Sequence, residues 1–205
     1  MSLPDQMDAP HAFPDLPTDG SDAETVLLLS PGSTDECDRA CARQLHLPES
    51  EGEAVIFVTL TETPDQRVRV LKRHAERPPN RLSVICTSES RRGGALGQQG
   101  IAIRTVENPD DLARLGVGIS DALSDWADDH PTTVCFHSLT ALLQFVDLSR
   151  VFRFVYTLSG RVAASGAHAH FHLDPDAHDD QTVATLRPLF DEVLRVDGDG
   201  TSPVP

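Results

Sequence analysis

Residues 168 to 180 read His-Ala-His-Phe-His-Leu-Asp-Pro-Asp-Ala-His-Asp-Asp and hold four of the chain's nine histidines. On a strand, His168, His170 and His172 fall on one face, while Ala169, Phe171 and Leu173 point to the other. Imidazoles bind zinc, nickel or copper, and His178, Asp174 or Asp176 can complete such a ligand set. Strand geometry restricts the arrangement. Side chains two residues apart stand ~6.5–7 Å apart, so three in succession cannot meet on one ion without a bend. Two of them with a partner from elsewhere meet more easily. The competing expectation is a polar cluster satisfied by carbonyls and carboxylates, with Asp174-Pro175-Asp176 as a turn.

The four cysteines are Cys37, Cys41, Cys86 and Cys135. Cys37 and Cys41 stand four apart on an expected helix and could share a metal, but two thiols without a second pair make an incomplete zinc signature. Core packing is their expected role, as free thiols in a cytoplasmic chain. His137 and Ser138 are adjacent on an expected strand, point to opposite faces, and so form no direct hydrolytic dyad. The chain also lacks a Gly-x-Ser-x-Gly nucleophile elbow.

The elements that must position these residues alternate short apolar β-rich runs with amphipathic helices, the pattern of a mostly parallel sheet covered on both faces. Strands are expected at Thr25–Ser30, Ala54–Leu60, Leu82–Cys86, Ile101–Val106, Val134–Ser138, Ala167–Leu173 and Val193–Val196. Helices are expected over 34–46, with Ser33 or Thr34 as cap and Asp35 and Glu36 in the first turn, where the dipole favours negative charge. A second opens at Pro64 and runs through Val68, Leu71 and His74 to the stop at Pro78 and Pro79. In a third, Leu112, Leu115, Ile119, Leu123 and Trp126 recur every three to four residues, leaving Asp121, Asp125, Asp128 and Asp129 outside. Ser149 is the expected cap of a fourth, through Phe152, Val155, Leu158 and Val162 to Gly166. A last helix over Asp180–Phe190 is broken near Pro188. Ser88–Gly100 is expected to be a mobile polar loop.

A first strand ending in Ser30-Pro31-Gly32 at a helix start, a second leading into Thr61-Glu62, and a Val134-Cys135-Phe136-His137-Ser138-Leu139-Thr140 strand resemble the RecA/KaiC-like branch of P-loop ATPases over residues 24 to 197. The resemblance implies a three-layer α/β fold with a RecA-like, mostly parallel sheet. It also implies a phosphate-binding loop, a lysine on the β and γ phosphates, a magnesium-binding hydroxyl and an Asp at a strand end. With the family's G-x-P-G-x-G-K-[ST] set on Leu29 to Glu36, only Pro31 and Gly32 match. The first glycine falls on Leu29, the last on Thr34, the lysine on Asp35, and the magnesium hydroxyl on Glu36. Lys72, on the second helix, is the chain's one lysine. An aspartate in the lysine's place turns attraction into repulsion, and a unit-charge contact at 4 Å near a surface amounts to ~4 kcal/mol. The metal-binding Asp falls on His137, which a hard magnesium ion disfavours. Glu62 matches the place of the water-activating glutamate, but without a bound phosphate its expected role is structural.

The expected function is therefore that of a noncatalytic pseudo-ATPase with no cofactor, similar to small haloarchaeal KaiC-related proteins and acting in regulation or signalling. The expected partner is a protein, such as an active ATPase paralogue or a signalling component, with homo-oligomers as a further possibility. The alternatives are a sensor or enzyme using a transition metal such as zinc at His168, His170, His172 and His178, or a paralogue that assembles with an active ATPase and binds nucleotide alongside it.

Composition agrees with these expectations. The 205 residues carry 32 acidic against 17 basic side chains, a net charge of −15. Such a surface disfavours direct nucleic-acid binding, since it repels phosphate. Sixteen of the basic residues are arginine; with the acidic surplus this resembles salt-in halophilic proteins, where an acidic coat keeps the chain soluble. No run approaches the ~20 apolar residues of a membrane helix. The expected organisation is a disordered, acidic and Pro-rich arm over 1–22, one domain over 23–197 and a flexible tail over 198–205, in the cytoplasm.

Overall fold

A computed structural model describes residues 24–32, 34–45, 53–74, 79–91, 101–126, 130–198 and 200–204. The expected arm over 1–22, the stop at Pro78 and the positions of Asp128 and Asp129 lie outside these residues, as does most of the expected loop after Arg91. Eight strands form one sheet: β1 (Thr25–Leu29), β2 (Ala54–Thr59), β3 (Arg81–Thr87), β4 (Ala102–Val106), β5 (Thr132–His137), β6 (His168–Leu173), β7 (Glu192–Asp197) and β8 (Gly200–Pro203). Their order is β4-β3-β2-β5-β6-β1-β7-β8, parallel throughout except for the β7–β8 hairpin. The helices are α1 (Asp35–Gln44), α2 (Pro64–His74), α3 (Ser88–Arg91), α4 (Leu112–Trp126), α5 (Leu139–Leu142), α6 (Leu148–Ala164) and α7 (Asp180–Leu186).

Every residue of β1, β2 and β5 is buried, which explains why these strands read as unbroken apolar runs rather than as alternations. Alternation still decides which layer each side chain joins. Leu27, Ile56, Val58, Val134, Phe136, Ala169, Phe171 and Leu173 pack with Leu115, Ile119 and Leu123 of α4, Val151, Val155 and Val162 of α6, and Leu186 of α7. Their strand neighbours Val55, Phe57, Val84, Cys86 and Cys135 face the opposite way, onto Cys41 of α1 and Val68 and Leu71 of α2. The sheet is thus the middle of three layers. Helices after β1 and β2 cover one face, those after β4, β5 and β6 the other, so the chain leaves the carboxyl ends of adjacent β1 and β6 in opposite directions. In open α/β sheets such a reversal is the place where ligands bind.

Three local expectations are corrected. Asp147, not Ser149, caps α6, its carboxylate accepting from the Arg150 N–H at 3.0 Å while the Ser149 hydroxyl donates to it at 2.7 Å. A carboxylate two residues upstream competes better for that N–H than a hydroxyl inside the first turn. Residues 88–91 form α3 instead of starting a loop, anchored by the Ser90 hydroxyl donating to the Leu60 carbonyl at 2.8 Å. The end of the chain, expected to fray, folds back as β8, pairing Val196 with Thr201 and Leu194 with Pro203. Gly166 closes α6 as expected, with the left-handed φ of +60° that favours glycine.

Phe171 lies at the centre of the larger core, fully buried, with its ring 5.7 Å from Phe136 and 5.1 Å from Phe190. Phe171→Ala is expected to lower unfolding stability by about 3–5 kcal/mol. The exposed Tyr156→Ala should stay within about 0.5 kcal/mol of wild type, as measured by urea denaturation.

Candidate metal centre

The face of the sheet under α1 is where the chain places its chemistry. Parallel pairing sets Cys135 of β5 opposite His170 of β6, and Leu28 of β1 opposite His172. His137, two residues beyond Cys135, therefore shares the face with His170 and His172. Above them runs α1, capped by Thr34, whose hydroxyl accepts from the Cys37 N–H at 3.2 Å. Cys37 and Cys41 are one turn apart, so both thiols point down onto the strands. All six side chains are buried.

The sulfurs of Cys41 and Cys135 are 3.4 Å apart. Cys41 Sγ is 3.3 Å from His170 Nε2, and Cys135 Sγ is 3.7 Å from His172 Nε2. Donor atoms of these four residues all lie within 4.8 Å of one another. Bonds of ~2.3 Å from zinc to sulfur and ~2.0–2.1 Å to nitrogen place tetrahedral ligand atoms about 3.3–3.8 Å apart. The two sulfur-to-nitrogen separations, 3.3 and 3.7 Å, bracket the ~3.6 Å of such a pair, and the sulfurs at 3.4 Å need to part by about 0.4 Å to reach the ~3.8 Å of two thiolates on one ion. Two thiolates and two imidazoles form a standard structural zinc ligand set, here contributed by one helix and two strands.

Protonation within the cluster suits metal binding. The Cys135 S–H donates toward Cys41 and holds the Cys41 thiol well below its ordinary range, outweighing burial, with His170 and His172 assisting. Burial pushes Cys135 well up, and the neighbouring Cys41 adds to this. Burial likewise lowers His170 and, strongly, His137, so both present neutral rings with a lone pair free for a cation. For His172 burial opposes protonation, but the charges on Cys41 and Cys37 prevail and raise it to about 10. A thiolate and an imidazolium thus share the interior, and a divalent cation can replace the protons on His172 and Cys135. Nδ1 of His170 is buried without a hydrogen-bond partner, which leaves the Cys41 sulfur as that ring's hydrogen-bonding contact among the described residues.

Arg67 of α2 bounds the cluster. Its side chain is 3% exposed, bonded to Asp38 at 3.1 Å and ion-paired with Glu62. Burial works against its charge, but Glu62, then Cys41, Asp38 and Cys135, raise its pKa overall.

A family model matches residues 23–196, a span that contains all six of these cysteines and histidines. The chain belongs to the family of unknown function DUF7504. No curated protein matches it. Among solved structures, the DUF7504 chain is similar to the Pyrococcus horikoshii OT3 protein of project PH0250, at 15% identity and a TM-score of 0.57 over 88% of this chain and 85% of that one. It is also similar to the uncharacterised P. horikoshii protein PH0321, solved with an unknown peptide, at 10% identity and a TM-score of 0.55 over 88% and 82% of the two chains. At these identities the likeness concerns the fold.

Of the histidines expected as ligands in this DUF7504 chain, His170 and His172 join the cluster and His168 and His178 do not. His168 is half-buried at the start of β6, and His178 lies past the strand, its Nε2 3.2 Å from the Thr140 hydroxyl. Asp174 and Asp176 form the expected turn, with the Asp176 N–H donating to Asp174 at 3.0 Å. Cys37 and Cys41 are buried in the core as expected, and each sulfur also approaches an imidazole. Sequence reasoning missed Cys135, though the repeated two-residue spacing of Cys135-x-His137 and His170-x-His172 could have signalled a shared face. The loop positions are occupied internally. Pro31 and Gly32 are exposed, and the Gly32 N–H donates to the Asp174 carboxylate at 2.8 Å. Asp35 pairs with Arg39 and, at 3.2 Å, with His74. Glu36 is half-buried in the first turn of α1, and Glu62 is held by Arg67.

Arg67→Ala is expected to lose about 3 kcal/mol of stability, because it strands Asp38 and Glu62 beside the cluster. Removing the exposed Asp35 partner by Arg39→Ala should change stability by no more than about 0.5 kcal/mol. Urea unfolding of the two variants side by side checks the contrast.

Proposed function

We propose that this chain is a metal-binding α/β protein that holds one zinc-type cation in a closed site formed by Cys41, Cys135, His170 and His172. The observation that carries this reading is the convergence of four donors within 4.8 Å of one another, three pairs of them at 3.3, 3.4 and 3.7 Å, in a fully buried setting. Each of the four is no more than 2% exposed, so the ion has no open position for substrate. Four protein ligands and no solvent access favour a structural or sensory role over catalysis. The ion would fasten α1 to the two central strands, making the fold conditional on metal. Such a domain acts through the surfaces it displays, which fits a regulatory component that works by protein contact.

A second observation supports the noncatalytic part of the reading. In the loop after β1, where the RecA/KaiC resemblance would set phosphates, the Gly32 N–H is bonded to the protein's own Asp174 carboxylate. Asp35, which stands in the lysine's place, is paired with Arg39 and His74. Gly32, Asp35 and Glu62, at positions that would handle ATP, are each engaged with other residues of the chain.

Untagged protein is expected to retain stoichiometric zinc through dialysis, and Cys41→Ser and His170→Ala are expected to lose it by elemental analysis. At free zinc a thousandfold above Kd, linkage contributes about 4 kcal/mol, so a strong chelator should lower Tm by about 8–16 °C. Protein that carries no zinc and shows the same Tm with chelator would refute the closed site. Magnesium ATP should neither raise Tm nor be hydrolysed, and turnover by the wild type would refute the noncatalytic reading.

A further inference from the structure

One histidine is used twice. His172 presents Nε2 to Cys135, and on the opposite side of its ring Nδ1 lies 3.4 Å from Cys37 Sγ. His137 completes that second side, its ring centroid 4.7 Å from that of His172. The donor atoms of Cys37, His137 and His172 all lie within 4.8 Å of one another, and all three residues are buried. Cys37 is further fixed by the Ser30 hydroxyl, which donates to its sulfur at 3.0 Å.

We propose that Cys37, His137 and His172 form a second divalent-metal site, joined to the Cys41–Cys135–His170 site by His172 as a bridging imidazolate. The inference rests on the closed-site reading, since the bridge requires an ion on each ring nitrogen.

The two sites differ in kind. The inner one has four protein ligands. The outer one has three and sits a step nearer the carboxyl ends of β1, β5 and β6, where His137 is 8% exposed and Ser30 follows β1. Three protein ligands leave a fourth position for water or a small anion, the arrangement of zinc sites that do chemistry. That position lies on the side of the strands' carboxyl ends, where α/β sheets take their ligands.

Charge balances without redox change. Two divalent cations face three thiolates and one imidazolate, so the buried assembly is neutral. On loading, the thiols of Cys37 and Cys135 each release one proton to solvent and the His172 imidazolium releases two, the Cys41 thiolate having none to give, and no electron moves. A dinuclear centre also accounts for all six residues of the face, where the closed site alone would leave Cys37 and His137 unused.

The test is titration of the untagged, metal-stripped full chain with cobalt(II), a zinc stand-in with thiolate-to-metal absorption, together with metal counting by native mass spectrometry. Wild type is expected to saturate at two ions per chain, the first adding twice the thiolate absorption of the second, two sulfurs against one. Cys37→Ser and His137→Ala should each saturate at one ion and keep the stronger step. Saturation of wild type at one ion overturns the second site and leaves the first standing, whereas no uptake overturns both. A second ion bound without thiolate absorption, or retained in Cys37→Ser, also overturns the proposal. The wild-type titration decides the matter even where a variant fails to fold.

Discussion

A group of thiols and imidazoles buried under a helix in the middle of an apolar sheet must find its polar partners within itself. That constraint ties α1 to β5 and β6 more specifically than oily packing can. Leu28 or Phe57 would tolerate a helix displaced by a fraction of a turn, but sulfur-to-nitrogen separations between 3.3 and 3.7 Å would not. The register of β5 against β6, the phase of α1 and the position of its cap at Thr34 all follow from where these six side chains must meet. The rest of the three-layer core, led by Phe136 and Phe171, supplies bulk stability around that fixed point.

The opposite charges in the cluster also explain the company it keeps. A thiolate and an imidazolium in low dielectric are stable only as partners. Arg67 adds a buried positive charge nearby, itself balanced by Asp38 and Glu62. The polar chain runs from the half-buried carboxylates through the guanidinium to the sulfurs, so the interior charge is neutralised stepwise toward the surface. The acidic excess of the whole chain is spread elsewhere, over exposed positions such as Asp121 and Asp125 on α4.

Most of the fold was legible in the sequence because its signals are local. Continuous apolar runs marked the buried parallel strands, Pro64 opened α2, and the three-to-four spacing from Leu112 to Trp126 described α4 within its observed bounds. The alternation of His170 and His172 against Ala169 and Phe171 was legible for the same reason. What could not be read was which distant segments lie side by side. Cys135 and His170 are 35 positions apart in the chain and directly paired in the sheet, and no periodicity in either segment encodes that pairing. The cluster was therefore seen as a row of histidines along one strand, when the donors come from across three elements. Likewise β8 was missed because Gly200–Pro203 carries little β propensity of its own and is recruited by pairing with β7.

The bond between Gly32 and Asp174 joins the loops that leave β1 and β6. An anion approaching the backbone amide of Gly32 meets a competitor that cannot diffuse away. A tethered group acts at an effective concentration in the millimolar range or above, and Asp174 is further aligned by its own N–H, which donates to Thr140 at 2.8 Å. A ligand present at micromolar levels must therefore bring contacts beyond that one amide to displace it. The two loops are thus latched to each other by a group that a single competing contact does not displace.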